Sequence, residues 1–236
     1  MMLERKVQSD APKPITERLL DILYPPRCPF CGRVLRYYER YCCGKCRASL
    51  PYVPRDAQRR EIKNIDLCLS AFEYRDSVRE SLHRYKFSSC RSYGRDYAQF
   101  MADEISRWGI SCDVITWVPI SRKRMRERGY DQSEIIAREL GRIFGVKCEK
   151  LLDKTVNNRA QSSTGSAEER RRNTTGVYAR HKGADMDEKS VLIIDDIVTT
   201  GSTLSECASV LKASGAKRIY AATAASSRKM QKDLGE

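Results

Sequence analysis

Residues 191–203 read VLIIDDIVTTGST, and this stretch decides the fold class. Its first four residues are apolar and branched or long, which is typical of a strand that is buried on both faces. Two carboxylates, Asp195 and Asp196, come next, followed by a hydroxyl-rich turn around Gly201. Apolar residues then recur at helical spacing at Leu204, Cys207, Ala208 and Leu211. We therefore predict a strand, a polar loop and a helix, in an α/β fold with a parallel sheet.

The turn after the strand has the chemistry of a phosphate site. A helix N-terminus offers unpaired N–H groups and the positive end of the helix dipole. Threonine and serine add hydroxyl donors, and glycine lets the backbone come close to a phosphate. The adjacent carboxylates suit ribose hydroxyls and tolerate a metal ion held by phosphates. We therefore predict a phosphorylated ribose bound by Asp195, Asp196, Thr199, Thr200, Gly201, Ser202 and Thr203.

A purely structural interpretation of this stretch is a buried strand that ends in a polar turn, with Ser202 or Thr203 as the helix N-cap. Two adjacent acids at the end of a buried strand argue against it, because each acid needs a partner. The stretch resembles the phosphoribosyl pyrophosphate (PRPP) signature of type I phosphoribosyltransferases at every position. The resemblance implies that PRPP is the ligand and that Mg²⁺ binds with it.

Four of the cysteines have metal-ligand spacing. Cys28 and Cys31 form one C-x2-C pair, and Cys43 and Cys46 form another, with eleven residues between the pairs. Four thiolates suit tetrahedral zinc in a closed, structural site. A pair of disulfides and an iron–sulfur cluster are the alternatives. Cys42 neighbours Cys43, but Cys43 keeps the spacing to Cys46 and is the preferred ligand.

The length, the net charge and the distribution of cysteines limit the classes of protein to which the chain can belong. The chain has 236 residues and a net charge of +13, which favours anionic partners. The first residues are polar, no apolar run approaches a membrane span, and the other cysteines are scattered singletons, so we expect a cytoplasmic protein. Residues 54–64 are charged and aperiodic and are interpreted as a linker. We predict an N-terminal helix and zinc-ribbon domain at 1–60 and a phosphoribosyltransferase-like domain at 61–236.

The predicted ribbon is rich in basic and aromatic residues. Such side chains can bind single-stranded DNA through phosphate contacts and base stacking. A solvated basic face with packed tyrosines is the alternative. The residues concerned are Arg27, Arg33, Arg36, Tyr37, Tyr38, Arg40, Tyr41, Lys45 and Arg47.

A second basic loop follows a strand predicted within residues 112–120. Five of the seven residues 122–128 are basic, and an amphipathic helix with Ile135 and Ile136 on its apolar face comes next. In an open α/β sheet, ligands bind just past the carboxyl ends of the strands. A plain basic surface loop is the alternative. The predicted diphosphate loop comprises Pro119, Ile120, Ser121, Arg122 and Arg128.

A long polar segment spans residues 154–178. Such a length inside a compact domain is typical of a lid or of a disordered segment. Basic residues on a lid can close over pyrophosphate and exclude water. The predicted lid residues are Gln161 and Arg170.

Weaker patterns complete the α/β plan. Residues 67–74 alternate like a strand, and Asp76 can cap a helix that continues to Phe87. Residues 97–108 have helical periodicity. The last apolar run, at 218–225, predicts a final strand.

Taken together, these features resemble the ComF family of phosphoribosyltransferase-like proteins. The resemblance extends from about Ile15 to Ala225. It depends on the order of the ribbon ending in Leu50-Pro51, the Tyr74 and Lys86-Phe87 region, RERGYDQ at 126–132, Gln161, residues 170–173 and the 191–203 stretch. Asp131 departs from the family, which usually has asparagine there. The resemblance implies a type I phosphoribosyltransferase fold with an N-terminal zinc ribbon and a link to competence for DNA uptake.

Two functions are open at this point. One is a PRPP-binding or nucleotide-binding accessory protein in DNA uptake, with single-stranded DNA and a helicase-like competence partner. The other is an active phosphoribosyltransferase with an unknown acceptor. The catalytic residue is unknown, because Thr199 stands where some purine phosphoribosyltransferases have an acidic base. The two histidines, His83 and His181, lie outside every motif.

Overall fold

A computed structural model describes residues 25–155 and 176–227. Its helices are α1 (Gly44–Ser49), α2 (Asp76–Phe87), α3 (Tyr93–Arg107), α4 (Arg122–Arg128), α5 (Gln132–Phe144) and α6 (Ser202–Ala213), with a 3-10 turn at Arg55–Ala57. Its strands are β1 (Arg60–Ile62), β2 (Ile65–Glu73), β3 (Val114–Trp117), β4 (Lys147–Cys148), β5 (Leu152–Lys154), β6 (Tyr178–Arg180), β7 (Ser190–Val198) and β8 (Arg218–Ser226).

The main sheet has six strands in the order β1-β2-β8-β7-β3-β4. Strand β1 is antiparallel to β2, and the other neighbours are parallel. Strands β5 and β6 form a separate antiparallel pair. The carboxyl ends of β2, β8, β7 and β3 therefore meet at one edge of the sheet. The α/β prediction is confirmed.

Helices cover both faces of the sheet. Leu192 and Ile194 of β7 belong to a core that also contains apolar residues of α2, α3 and α5. Val191 and Ile193 belong to a second core, shared with α6 and the β5–β6 pair. All four side chains are fully buried. This confirms the prediction of a strand buried on both faces.

The cysteine-bearing segment packs against the first core. Phe30 is only 3% exposed and makes edge-on ring contacts with Phe72, Tyr97 and Phe100, at centroid distances of 5.9 to 6.0 Å. Cys28 lies in the same buried cluster. The inner side of the ribbon and the helices therefore share one hydrophobic core. The domain boundary at residue 60 stays a prediction.

The linker interpretation of residues 54–64 is wrong. Strand β1 pairs with β2, so that Arg60 lies opposite Cys68. Gln58 is buried and donates to Glu104 at 2.7 Å, and its carbonyl oxygen accepts from the Trp108 indole N–H at 2.6 Å. The segment is therefore part of the fold: Gln58 and Ile62 are buried in it, although most of its charged side chains are exposed.

The basic stretch that was expected to be a loop forms helix α4. The side chain of Ser121 caps the helix by accepting from the Arg124 N–H, and Gly129 ends it in the left-handed region at φ 72°. None of the residues of α4 is buried, so the helix has no apolar stripe for periodicity to detect. Strands β1, β4, β5 and β6 were also not predicted, because two or three residues carry no periodic signal.

The other predicted elements are present with shifted ends. Strand β2 begins at Ile65, and helix α3 begins at Tyr93. The prediction of Asp76 as the cap of α2 is wrong, because Arg75 is the N-cap and Asp76 is the first helical residue. Of the predicted diphosphate loop, residues 119–121 lie in a loop, and Arg122 and Arg128 lie in helix α4. Within the described residues, no helix combines the length and the apolar character that crossing a membrane requires.

Candidate functional site

The edge formed by the carboxyl ends of the parallel strands gathers the residues predicted to bind phosphate and ribose. Asp195 and Asp196 lie in the last part of β7, rather than after it. Residues 119–121 follow the neighbouring strand β3. Because both segments leave the sheet at the same edge, the fold brings together two regions that the sequence separates widely.

The two carboxylates of β7 have different partners. Asp196 Oδ2 is 2.9 Å from Lys86 Nζ. Asp195 Oδ1 accepts from the Ser133 hydroxyl at 3.0 Å and from the Asp196 N–H at 2.8 Å. Burial, reinforced by the charge of Asp196, raises the pKa of Asp195 above its ordinary value. Half-buried carboxylates in this arrangement can accept hydrogen bonds from hydroxyl groups or share a metal ion.

The loop at 199–203 leads into helix α6, which begins at Ser202. Gly201 is the N-cap in the left-handed region at φ 81°, and among the described residues no side chain caps this helix. The Ser202 hydroxyl lies 2.9 Å from Thr200 Oγ1. The interpretation with Ser202 or Thr203 as N-cap is therefore wrong. The Ser202 N–H donates to Thr200 Oγ1 at 3.4 Å, and the next N–H groups of the first turn of α6 can donate to an anion.

Close packing requires glycine at position 201. A Cβ atom there would lie 2.9 Å from Ile62 Cδ1, which is shorter than a normal contact. Arg60, also on β1, donates to the Thr199 carbonyl. Strand β1 therefore lies against the loop and fixes its backbone.

The predicted diphosphate loop is held at both ends. Ser121 is largely buried as the N-cap of α4, and the Ile120 N–H donates to Asp131 Oδ2 at 3.0 Å. Arg128 donates to Gln132 Oε1 at 2.8 Å and lies over the Phe87 ring at 5.0 Å. Burial lowers the pKa of Arg128, and the charge of Asp196 partly offsets this. Arg128 is therefore half-buried at the end of α4, near enough to Asp196 for their charges to interact, whereas Arg122 lies exposed on α4.

Asp131 is a structural member of this edge. It is 4% exposed and is the N-cap of α5, with Oδ1 accepting from the N–H groups of Ser133 and Glu134. Burial raises the pKa of Asp131 to about 6. Its carboxylate therefore joins the diphosphate loop to the helix that carries Ser133.

Sequence reasoning missed three residues of the site: Lys86 on α2, Ser133 on α5 and Arg60 on β1. Lys86 counted only toward the family resemblance. A contact between elements that are distant in the sequence leaves no local pattern, so no motif marked these residues.

The predicted lid residues, Gln161 and Arg170, lie outside the described residues. The two strands next to that segment are β5 and β6. Lys154 Nζ donates to the Tyr178 hydroxyl at 3.1 Å and lies over the same ring. Glu206 of α6 accepts from the Val177 N–H at 2.8 Å.

The four predicted metal ligands form one cluster. The sulfur atoms of Cys28, Cys31, Cys43 and Cys46 all lie within 4.8 Å of one another. Cys31 Sγ and Cys43 Sγ are 3.7 Å apart. Zn–S bonds of about 2.3 Å at tetrahedral angles give a separation of about 3.8 Å. This donor set fits a structural zinc ion.

Backbone donors and a neighbouring cation favour a thiolate at Cys43, whereas burial raises the pKa of Cys28 and Cys46. The Cys46 N–H donates to Cys43 Sγ at 3.4 Å, and the Cys43 N–H donates to Cys28 Sγ at 3.5 Å. Burial opposes the ionisation of Cys43, but the Cys46 N–H and the Arg33 guanidinium lower its pKa to about 6. A zinc ligand must be deprotonated, so these contacts support metal binding.

The neighbouring Cys42 is buried outside the cluster. Burial raises the pKa of the Cys42 thiol to about 11. The cluster contains Cys43 and not Cys42, which supports the preference for Cys43 as the ligand. Every cysteine in the described residues is free, so the disulfide alternative is wrong.

Some basic residues of the ribbon form ion pairs within it, and others are exposed. Arg33 pairs with Glu39 at 2.7 Å, and Glu39 also accepts from the N–H groups of Arg36 and Gly44. These backbone donors and Arg33 lower the pKa of Glu39 to about 2. Arg33 is thus part of the ribbon's internal structure, which weakens its assignment to a DNA-binding surface.

Tyr37 and Tyr38 are the most exposed aromatic residues among the described residues of the ribbon. Tyr37 is 98% exposed and Tyr38 is 58% exposed, and their rings meet edge-on at 5.2 Å. Arg36 donates to the Tyr38 hydroxyl at 2.6 Å. These tyrosines do not pack the ribbon's interior.

Both histidines lie at the surface. His181 Nδ1 is 2.7 Å from Asp153 Oδ2 near the β5–β6 pair. The His83 ring lies 4.8 Å from the Phe87 ring on the outside of α2. Neither histidine has a contact with the acid pair among those of the described residues.

Two family models match the chain. Residues 127–234 match the phosphoribosyl transferase domain, and residues 19–57 match the double zinc ribbon domain. The first match contains the acid pair, the 199–203 loop and Arg128. The second contains all four clustered cysteines.

Curated relatives cover most of the chain. It is 24% identical over 198 residues to Competence protein F of Haemophilus influenzae, covering 82% of each chain. It is 30% identical over 148 residues to Competence protein ComFC of Streptococcus pneumoniae, covering 63% of each. It is 25% identical over 199 residues to DNA utilization protein YhgH of Escherichia coli, covering 81% of this chain and 80% of the relative.

Solved structures of phosphoribosyltransferases are also similar to the chain. The adenine phosphoribosyltransferase of Thermoanaerobacter pseudethanolicus is 18% identical, with a TM-score of 0.38, over 73% of this chain and 96% of that one. The glutamine PRPP amidotransferase of B. subtilis is 20% identical, with a TM-score of 0.41, over 56% and 26%.

The fold, the matched domains and the cysteine cluster define a phosphoribosyltransferase-domain protein with an N-terminal zinc ribbon. Its alignments with Competence protein F and DNA utilization protein YhgH cover 82% and 81% of the chain. These relatives and the two matched domains are those of the ComF family, which the chain resembles.

Proposed function

We propose that this protein binds PRPP or a 5′-phosphoribosyl nucleotide at the carboxyl edge of its sheet. The observation that carries the proposal is the position of the acid pair, Asp195 and Asp196, next to the glycine-capped N-terminus of α6. A carboxylate pair suits a ribose diol, and a helix N-terminus suits a phosphate. One ligand that satisfies both is a phosphorylated ribose.

Each part of the ligand has a matching part of the site. The 5′-phosphate binds the N–H and hydroxyl groups of the 199–203 loop, and the ribose hydroxyls bind Asp195 and Asp196. The diphosphate lies toward residues 119–121, where Arg122 and Arg128 supply positive charge. Mg²⁺ bound with the diphosphate neutralises part of its charge.

Calorimetric titration with PRPP and Mg²⁺ tests this proposal. The double substitution Asp195→Asn with Asp196→Asn removes both carboxylates with little change of shape, and we expect affinity to fall about a hundredfold or more. Asp103→Asn is the matched control, because Asp103 lies exposed on α3. Unchanged PRPP affinity in the double variant contradicts the proposal.

We further propose that the protein acts in DNA uptake and binds single-stranded DNA through its ribbon. The exposed pair Tyr37 and Tyr38, with Arg36 beside it, supports this role, because bases stack on aromatic rings and phosphates attract arginine. The names of the relatives, Competence protein F and DNA utilization protein YhgH, support the same context. A helicase-like competence partner belongs to this proposal.

Fluorescence anisotropy with labelled single-stranded DNA at low salt tests the DNA-binding role. Replacing both Tyr37 and Tyr38 with alanine removes the rings, and stacking is worth about 1–3 kcal/mol per base, so affinity should fall at least tenfold. Replacing both with phenylalanine keeps the rings and is the control. Equal binding by the two double variants rules out stacking on this pair.

An active phosphoribosyltransferase is the second candidate, supported by the same acid pair and phosphate loop. Release of pyrophosphate from PRPP in the presence of candidate amines and bases tests it. The variant with both asparagines serves as the inactive control. Release that needs an acceptor and disappears in that variant favours the enzyme over the accessory protein.

A further inference from the structure

The last turn of helix α2 contacts the ribbon and the ligand edge at once. Arg84 Nη2 donates to the carbonyl oxygens of Pro29, at 2.9 Å, and Phe30, at 3.0 Å. Two residues later, Lys86 Nζ reaches Asp196 at 2.9 Å. Arg84 and Lys86 point to nearly opposite sides of the helix, because residues two positions apart are rotated by about 200°.

Tyr85, which lies between them, and Phe87, which follows them, also make contacts with other elements. Tyr85 is fully buried, its hydroxyl donates to the Gln132 carbonyl at 2.8 Å, and its own carbonyl accepts from the Tyr130 hydroxyl. The Phe87 ring lies under Arg128 at 5.0 Å. Residues 84–87 therefore join the ribbon, the start of α5, the acid pair and α4.

The two carbonyls that bind Arg84 lie between metal ligands. Pro29 and Phe30 separate Cys28 from Cys31, whose sulfurs belong to the four-cysteine cluster. A bound metal ion fixes both ends of this turn, and the buried Phe30 ring fixes its middle. The position at which the turn presents its carbonyls to Arg84 therefore depends on the four-cysteine cluster as well as on the packing of Phe30.

We infer that Arg84 is a positioning residue that couples the metal-binding turn at 28–31 to the acid pair of the ligand site. It holds the last turn of α2 where Lys86 can pair with Asp196. The effect on ligand affinity depends on the proposed PRPP site. The effect of Arg84 on the position of the last turn of α2 does not depend on whether PRPP binds.

The first test compares PRPP affinity and zinc content in three variants. Arg84→Ala should keep one zinc per chain but lower affinity about five- to tenfold, because the loss of charge-assisted hydrogen bonds lets the helix end shift. Arg84→Lys can still donate to one carbonyl and should recover part of the loss. Arg79→Ala removes the same charge from an exposed position of the same helix and should change neither quantity.

The second test combines the Arg84→Ala substitution with removal of zinc and measures PRPP affinity in all four states. Chelation of zinc should lower the PRPP affinity of the unchanged protein, and should lower that of Arg84→Ala much less, because the link is already broken. Equal losses in both proteins overturn the inference. So does an Arg84→Ala variant that binds PRPP normally.

Hydrogen exchange separates this inference from the proposed function. Amides 85–88 should exchange faster in zinc-bound Arg84→Ala than in Arg79→Ala, without any ligand. If the unchanged protein fails to bind PRPP, the proposed function fails while this measurement still decides the coupling. Equal exchange in the two variants overturns the coupling even if PRPP binds.

Discussion

Both oxygens of the Asp131 carboxylate accept backbone hydrogen bonds. Oδ1 accepts from Ser133 and Glu134, and Oδ2 accepts from Ile120 at 3.0 Å. Asparagine offers one acceptor oxygen, so its amide nitrogen would face a backbone N–H donor. The carboxylate is therefore matched to this loop, although burial disfavours its charged form.

The pH dependence of stability tests this arrangement. The pKa of Asp131 is raised from 3.8 to about 6 in the folded protein. The folded state thus binds the proton more tightly, and the free energy of unfolding should fall as pH rises through that interval and then level off. Asp131→Asn should lack this component. Urea unfolding across the interval measures it, with Asp103→Asn as control, and an identical slope in Asp131→Asn contradicts the assignment.

Gly201 gives a second prediction with a matched control. Gly201→Ala places a Cβ 2.9 Å from Ile62 Cδ1 at φ 81°, whereas Gly183→Ala, at φ 79°, meets nothing within 4 Å. Both variants should lose about 1 kcal/mol or more from left-handed strain. Gly201→Ala should lose more stability and most PRPP affinity. Thermal unfolding and calorimetry measure the difference, and equal behaviour of the two variants argues against close packing at the loop.

The acid pair and the phosphate loop could be predicted from the sequence because they are contiguous. Their spacing alone places them on one strand and one helix start. Lys86 and Ser133 could not be predicted, because they reach the acids from separate helices. Asp131 was visible as an unusual charge, but only its three N–H partners explain it as a cap.

At the scale of helices and strands, buried elements were predictable and short exposed ones were not. Strand β7 and helix α6 have apolar residues at the right period. Helix α4 has none buried and depends on Ser121 and Gly129 at its ends, which are signals that a reading based on apolar periodicity overlooks. Strands β5 and β6 are three residues each and exist through pairing with each other.

Metal binding by the zinc ribbon can be tested at the scale of this element. Metal analysis of protein purified without added metal should find about one zinc per chain, as expected for a closed four-thiolate site. Cys43→Ser should lose the metal because Cys43 belongs to the cluster, and Cys42→Ser should keep it because Cys42 lies outside. Zinc retained in Cys43→Ser, or an iron–sulfur absorption band, contradicts the assignment.

At the scale of the whole molecule, the ribbon and the helices on one sheet face behave as one packed body. Phe30 reaches Phe72 on β2 and Phe100 on α3. Removal of residues 1–60 would therefore uncover apolar rings as well as delete a surface. Point substitutions on the ribbon are the cleaner way to separate its roles.

Unfolding experiments test this shared core. Phe30→Ala should lower the free energy of unfolding by about 3–5 kcal/mol, which is typical for a buried phenylalanine. Tyr37→Ala should change it by less than about 0.5 kcal/mol, because Tyr37 is 98% exposed. Denaturant titration measures both. A small loss in Phe30→Ala indicates that the ribbon folds independently.

The strand order has a consequence for synthesis on the ribosome. Strand β2 pairs with β8, so that Leu67 lies beside Tyr220, and β7 also uses β8 as a neighbour. Until residues 218–226 leave the ribosome, β2 has only β1 and the bridge from Tyr52 to Phe72 beside it. The edge of β2 that pairs with β8 is then open to other chains. The sheet therefore closes late in translation, and nascent chains that stall before Arg218 are the form of this protein most in need of a chaperone.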